Sequence, residues 1–153
     1  MPKIFIYAFA AAIITIGSCS RDNDSFSDAA PGLNGSWKMT KVYDKGPDTF
    51  AIPSASATRN VVITFDHGRF SANTIVNHYS NGIYKIQNDT TILFESFAST
   101  KVAEDTWGGS FGTMLMSCGL QSSFPCRNPA FRLNGNTLTI TTVLRYDYTF
   151  EKL

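Results

Sequence analysis

The sequence has only two histidines and three cysteines, and its 13 basic residues nearly balance its 12 acidic ones. It also lacks the short motifs of common hydrolases, metalloproteases and phosphate-binding loops. A metal or acid–base role for His67 and His78 would need the two side chains to be brought together across strands. Sequence spacing supplies no partner or pocket for the carboxylates of Glu95, Glu104 and Asp105. We therefore predict that the protein is not an enzyme and holds no metal or cofactor, and the lack of a basic patch argues against nucleic acid.

The chain also lacks an apolar run long enough to span a membrane as a helix. Its longest such run, residues 4–16, has 13 residues, whereas a spanning helix needs about 20. A secretory signal is the better interpretation. Residues 16–19 (IGSC) resemble a bacterial lipobox, which implies a signal peptide over residues 1–18 and acylation of Cys19. An ordinary signal peptide that ends near a cysteine is the alternative.

Residues 19–32 are polar and end in a Pro-Gly pair, so we predict a flexible tether between the lipid and a domain at residues 33–153. Ser20 follows the cysteine, which in proteobacterial lipoproteins implies sorting to the outer membrane. Asp22 and Asp24 loosely resemble surface-export signals, so periplasmic and surface orientations both stay open. The predicted partners are the membrane, through the lipid anchor, and an envelope protein that the sequence does not identify.

The domain is rich in short runs of β-branched and aromatic residues separated by turn formers. We predict strands at residues 35–43, 60–65, 70–74, 83–86, 90–94, 130–133, 137–142 and 146–150. Residues 44–59 are expected to form a long loop. Three glycines within residues 107–116 predict a short, poor helix or a turn. The expected fold is mainly β, a single antiparallel sandwich or incompletely closed barrel with at most one short helix.

Residues 77–106 carry a resemblance to a known family. Asn77 is followed by Gly82, Tyr84, a hairpin with its turn at residues 88–89, and then residues 99–103 (STKVA). With residues 33–37 (LNGSW) and 138–140 (LTI), this spacing resembles the META domain family, which includes the HslJ-like heat-shock lipoproteins. The resemblance implies a structural motif made of Trp37, Asn77, Gly82, Tyr84 and Thr100. The family has no settled biochemical activity, so it implies a non-enzymatic binding or structural role.

The chain departs from the family at two positions. Many META domains carry cysteines immediately before the asparagine and immediately after the alanine of these motifs, where this chain has Val76 and Glu104. Loss of a paired disulfide would remove both cysteines together, and an incorrect alignment is the alternative.

The resemblance also implies how three of the motif residues are placed. The side-chain amide of Asn77 should bond backbone groups at a strand end, and Gly82 should occupy a backbone that a Cβ would strain. The ring of Tyr84 should be buried beneath Trp37 or Phe150.

Cys118 and Cys126 remain as a pair once Cys19 is acylated. In an oxidising compartment such a pair predicts a disulfide. A redox or metal pair is the alternative, although the spacing is wider than Cys-x-x-Cys.

A lipocalin-like carrier of a small apolar ligand is the alternative function, because lipocalins also open with a Gly-x-Trp motif such as that of residues 35–37. A cavity lined by Trp37, Phe65, Tyr84 and Phe150 would favour the carrier. A filled interior with open strand edges would favour the META fold.

Overall fold

The computed structural model describes residues 30–46, 49–51, 60–116 and 128–153. Within these ranges the chain forms nine strands and one helix. They are β1 (Gly35–Asp44), β2 (Thr49–Ala51), β3 (Val62–Asp66), β4 (Arg69–Asn73), β5 (His78–Gln87), β6 (Thr91–Ser99), α1 (Thr106–Met116), β7 (Ala130–Asn134), β8 (Thr137–Thr141) and β9 (Tyr146–Lys152).

Eight of the strands form a closed antiparallel barrel. Their order is β1-β3-β4-β5-β6-β7-β8-β9, and β9 pairs back onto β1 from Trp37 to Asp44. The additional strand β2 lies beside the second half of β1, inside the segment for which the sequence predicts a loop. The predicted mainly β fold with one short helix is confirmed. The structure shows a barrel rather than a sandwich, and the β1–β9 pairing closes it fully, where we expected incomplete closure.

The tight turns follow from local sequence. Asn88 and Asp89 adopt φ values of 52° and 57°, the left-handed conformation that these residue types tolerate. His67 and Gly68 do the same between β3 and β4, with φ values of 43° and 80°. Such turns match the right-handed twist of the strands that they join.

The barrel interior is filled with side chains. Alternate residues of the strands point inward, and the largest of them include Trp37, Phe65, Tyr148 and Phe150, each at most 1% exposed. Tyr84 is 5% exposed. Little of the surface of Trp37, Phe65 and Phe150 is therefore accessible to solvent.

The helix α1 packs in the core against side chains of β5 and β9. Strands β6 and β7 pair at Thr91 and Ala130 alone, and α1 lies between them in the chain. The helix buries Trp107, Phe111, Met114 and Leu115 in the core. The ring of Phe111 lies 6.5 Å from that of Phe150, and the Tyr148 hydroxyl donates a 2.7 Å hydrogen bond to the Ser110 carbonyl.

This helix is longer than its three glycines suggest. It runs for 11 residues, because its buried apolar side chains hold it in the core, and two of the glycines allow close contact with neighbouring side chains. A Cβ on Gly108 would lie 2.4 Å from a carboxylate oxygen of Glu104, and one on Gly112 would lie 2.9 Å from the Tyr79 hydroxyl. The intrinsic helix penalty of glycine is therefore offset by close packing.

Candidate functional site

The side chain of Asn77 joins the start of β5 to the segment that follows β6. Its Nδ2 donates to the Val102 carbonyl at 2.8 Å, and its Oδ1 accepts from the Val102 N–H at 2.8 Å. The same oxygen accepts from the Thr100 hydroxyl at 3.0 Å. Asn77 is 7% exposed, and its amide thus acts as a substitute for a backbone partner at the strand end.

Thr100 continues the pairing beyond β6. Its hydroxyl accepts from the His78 N–H at 2.9 Å, and its own N–H donates to the His78 carbonyl at 3.1 Å. Among the five residues of the predicted motif, Asn77 and Thr100 are joined to each other by a side-chain hydrogen bond.

The carboxylate of Glu104 receives three donors from the segment before β5. Its Oε1 accepts from the N–H groups of Val76 and Asn77, at 3.3 and 3.1 Å, and from the Thr74 hydroxyl. The Thr74 hydroxyl also accepts from the Asn77 N–H at 3.0 Å. We call Thr74, Asn77, Thr100 and Glu104 the clamp, since their side chains hold residues 100–104 against β5.

Two surface clefts lie on either side of the clamp, and both include Asn77 and Thr100. The strand cleft, about 470 Å³, is lined further by Asn60, Val62, Asn73, Val76 and His78. The helix cleft, about 390 Å³, is lined further by Tyr79, Phe97, Val102, Gly109, Gly112 and Met116. Both clefts are shallow depressions that open widely to solvent rather than enclosed cavities.

Tyr79 places a polar group at the helix cleft. Its side chain is packed between the rings of Phe97 and Phe111, at 5.7 and 5.6 Å. Burial, and secondarily the charge of Glu104, raises the pKa of the Tyr79 hydroxyl, so this group stays protonated at neutral pH.

The other predicted motif residues serve the barrel rather than the clefts. Trp37 donates from Nε1 to the Leu33 carbonyl at 2.6 Å, and the Lys152 amine lies 5.2 Å from its ring centre. The ring of Tyr84 packs edge-on against Phe65 at 5.0 Å, where we expected Trp37 or Phe150.

Gly82 excludes a side chain for a different reason from the expected one. Its φ does not lie in the left-handed region, whereas that of its neighbour Asn81 does, at 52°. A Cβ on Gly82 would lie 2.5 Å from two ring carbons of Phe70 and 2.6 Å from the Phe70 carbonyl oxygen. Close contact across the β4–β5 pair, not backbone conformation, therefore requires glycine here.

Several predicted features lie outside the described residues. These are the lipobox with Cys19, the tether up to residue 29, and the Cys118–Cys126 pair. In the part of the chain that the structure describes, no three His, Cys, Asp or Glu side chains lie close enough to hold a metal ion. The same part contains no helix with the length and apolarity to cross a membrane.

Sequence reasoning missed Thr74, Tyr79 and Glu104. Sequence spacing gives Glu104 no partner, because its donors come from a segment 27–30 residues earlier in the chain. The one signal that pointed to this contact was the family pattern, which pairs the positions of Val76 and Glu104.

Comparison with known proteins gives a fold likeness alone. No family model and no curated protein matches the chain. A solved structure, described as the NMR structure of the protein from Burkholderia xenovorans, is similar to the chain with a TM-score of 0.57 and 18% sequence identity. The likeness covers 100% of this chain and 99% of that one. At this identity the likeness extends to the barrel fold and no further.

Proposed function

We propose that the chain is a lipid-anchored protein of the bacterial cell envelope, of META or HslJ-like type, with a non-enzymatic binding or structural role. The N-terminal segment anchors the protein to the membrane, and the domain acts through its surface.

The observation that carries the domain assignment is the contact between positions 76 and 104. The family pattern places a cysteine pair at these positions, and in this chain the Val76 N–H donates to the Glu104 carboxylate at 3.3 Å. The pairing of β5 with β6, which continues to His78 and Thr100, brings the two positions close, as the family pattern implies. The Glu104 carboxylate then links the same two segments that a disulfide links in the family.

An engineered disulfide tests this assignment. If the two positions correspond to the family's cysteine pair, the double variant Val76→Cys, Glu104→Cys should form the bridge on air oxidation, since a disulfide forms only between Cα atoms within about 7 Å of each other. A Val76→Cys, Asp105→Cys variant is the matched control and should bridge much less completely. If mass spectrometry shows no 76–104 bridge, or equal bridging in the control, the META assignment is rejected.

The anchor rests on the lipobox at residues 16–19 and on the polar segment that follows it. One acyl chain binds a membrane only marginally, at about 0.8 kcal/mol per buried methylene, so stable anchoring needs the several chains that lipoprotein processing attaches. Changing Cys19 to Ala should therefore yield an unprocessed or soluble protein. Membrane fractionation and intact-mass measurement test this. A Cys19→Ala protein that is still acylated and still sediments with the outer membrane would contradict the anchor, and Ser18→Ala serves as the control that keeps the thiol.

A lipocalin-like carrier is the second candidate, and the closed eight-stranded barrel is the observation that favours it. The filled interior at Trp37, Phe65 and Phe150 opposes it, because a ligand would have to displace these side chains. Titration with a long-chain fatty acid, followed by amide chemical shifts, separates the two candidates. Stoichiometric binding with shifts centred on Trp37 and Phe150 would establish a carrier.

A further inference from the structure

In the described chain an asparagine is followed by a glycine at three positions, which are Asn34–Gly35, Asn81–Gly82 and Asn134–Gly135. At such a pair the backbone nitrogen of the glycine can attack the side-chain amide carbon of the asparagine, since glycine has no Cβ to obstruct the approach. The attack closes a five-membered ring, and it requires the backbone between the two residues to rotate. The fold therefore decides which of the three asparagines reacts.

Two of these asparagines are held by their surroundings. The Asn34 Oδ1 accepts a 3.2 Å hydrogen bond from the His67 N–H, immediately before β1 begins. Asn81 is exposed, but the buried Gly82 that follows it pairs with Phe70 of β4. A Cβ on Gly82 would lie 2.5 Å from the Phe70 ring, so the two strands are in close contact there. Backbone rotation at either pair therefore requires a strand to separate from its neighbour.

Asn134 has different surroundings, at the tip of the β7–β8 hairpin. It is exposed, and its side chain makes no hydrogen bond to any residue in the described ranges. Gly135 begins the two-residue turn with a φ of 58°, and a Cβ placed on it would meet no atom within 4 Å. Asn134 and Thr137 are the last pair before the turn. Rotation between Asn134 and Gly135 therefore disturbs one pair at the end of a ladder and no packed side chain.

We propose that Asn134 is a site of spontaneous deamidation. The Gly135 nitrogen bonds to the Asn134 Cγ and loses its proton, the bond from Cγ to Nδ2 breaks, and ammonia leaves. Water then adds to one of the two carbonyl carbons of the cyclic imide and opens the ring, which gives aspartate or isoaspartate at residue 134. The reaction transfers no electrons and needs only water. It depends on the fold alone, so it goes beyond the binding and anchoring roles proposed above and does not rest on them.

Isoaspartate at residue 134 would alter one end of the barrel. The main chain would then run through the former side chain, which adds one backbone carbon and a carboxylate that is negatively charged at neutral pH. The longer backbone no longer matches the pairing of Asn134 with Thr137. Thr137 also pairs with Glu151 of β9, and the Asn136 carbonyl accepts a 2.9 Å hydrogen bond from the Lys152 N–H. The modification therefore weakens the contacts that hold the end of β9.

Peptide mapping of the full chain after incubation at neutral pH tests the proposal. Trypsin cleaves after lysine and arginine, so the three asparagines fall in separate peptides, residues 22–38, 70–85 and 133–145. Chromatography and fragment masses identify aspartate and isoaspartate at each position. In the folded protein the product should form at Asn134 at least about 5-fold faster than at Asn34 or Asn81, a ratio that corresponds to about 1 kcal/mol in activation free energy.

The unfolded chain and one variant are the controls. In concentrated guanidinium chloride the three pairs share the same local chemistry, so their rates should agree within about 3-fold. Asn134→Gln should slow the reaction at residue 134 strongly, because glutamine has to close a six-membered ring. The same variant should leave the rates at Asn34 and Asn81 unchanged.

Similar rates at all three asparagines of the folded protein, or a faster reaction at Asn34 or Asn81, would overturn the proposal. So would an Asn134 that keeps its amide in the folded protein and loses it in the unfolded chain. None of these results bears on the anchor or on a ligand, which the experiments given above test separately.

Discussion

Asn77 and Val102 are joined by a pair of hydrogen bonds of 2.8 Å each, one from the amide Nδ2 to the carbonyl and one from the N–H to Oδ1. Through this pair a single side chain satisfies both backbone groups of a residue that lies beyond the end of β6. The segment that carries Lys101 and Glu104 is thereby held beside the helix cleft.

Asn77→Ala should lower the free energy of unfolding by about 2–3 kcal/mol, because it removes these bonds and leaves the Val102 groups without partners. Asn60→Ala is the control, since Asn60 is exposed, and it should cost less than about 0.5 kcal/mol. Denaturant unfolding of both proteins measures the difference. Equal small losses would show that the clamp does not stabilise the fold.

Glycine-to-alanine substitutions at two positions should change the stability of the protein in opposite directions. Gly82→Ala should destabilise the protein by about 1–3 kcal/mol, because its Cβ would lie 2.5 Å from the ring of Phe70. Gly109→Ala should stabilise it by about 0.5–1 kcal/mol, because its Cβ meets nothing and alanine favours the helix. Thermal melts of the two variants test the pair. A stabilising Gly82→Ala would contradict the packing described for β4 and β5, and a destabilising Gly109→Ala would contradict the open space beside Gly109.

Alanine substitutions at the adjacent residues Tyr84 and Lys85 should lower the free energy of unfolding by very different amounts. Tyr84 is 5% exposed and packs against Phe65, so Tyr84→Ala should cost about 3 kcal/mol or more. The half-exposed Lys85 amine forms a 2.9 Å surface ion pair with Glu95, so Lys85→Ala should cost less than about 0.5 kcal/mol. Urea unfolding measures both values, and similar costs would place β5 outside the core.

Acidification should remove the contribution that Asp44 makes to the stability of the fold. Arg145 donates two 2.7 Å hydrogen bonds to this carboxylate, and these bonds are the main cause that lowers the pKa of Asp44 below its ordinary value of 3.8. A carboxyl whose pKa is lowered in the folded state stabilises the fold above its unfolded-state pKa, and it loses that contribution as pH falls through the folded-state pKa.

The stability gap between the wild-type protein and Asp44→Asn should accordingly be present at pH 7 and shrink below about pH 4. Glu151→Gln changes an exposed carboxylate without an ion pair among the described residues, and it should show no such gap. Unfolding measured from pH 2 to 7 would contradict the role of Asp44 if its gap were independent of pH.

The Cys118–Cys126 disulfide stays a prediction from the sequence. Protein isolated from the envelope under non-reducing conditions should contain no free thiol at either position. A bridge closing a loop of about nine residues contributes roughly 2.5 kcal/mol, so reduction should lower the melting temperature by several degrees. Two titratable thiols in the unreduced protein would contradict the bridge.

Local features of the chain were predictable from the sequence alone. Alternation of apolar and polar residues locates β1, β3, β8 and β9, because a strand with one buried face repeats every two residues. The left-handed turn at residues 88–89 follows from the residue types there, since asparagine and aspartate tolerate that backbone. The lipobox is likewise a contiguous pattern. Each of these signals is complete within a window of a few residues.

Tertiary structure decided what depends on residues far apart in the chain. Closure of the barrel pairs Trp37 with Lys152, and strand alternation is the same in a sandwich, so periodicity could not distinguish the two. The extent of α1 depends on the burial of Trp107, Phe111, Met114 and Leu115 in the core, which outweighs the helix penalty of glycine. The hydrogen-bond partners of Glu104 also depend on tertiary structure, because its donors lie beside it only when β5 and β6 pair.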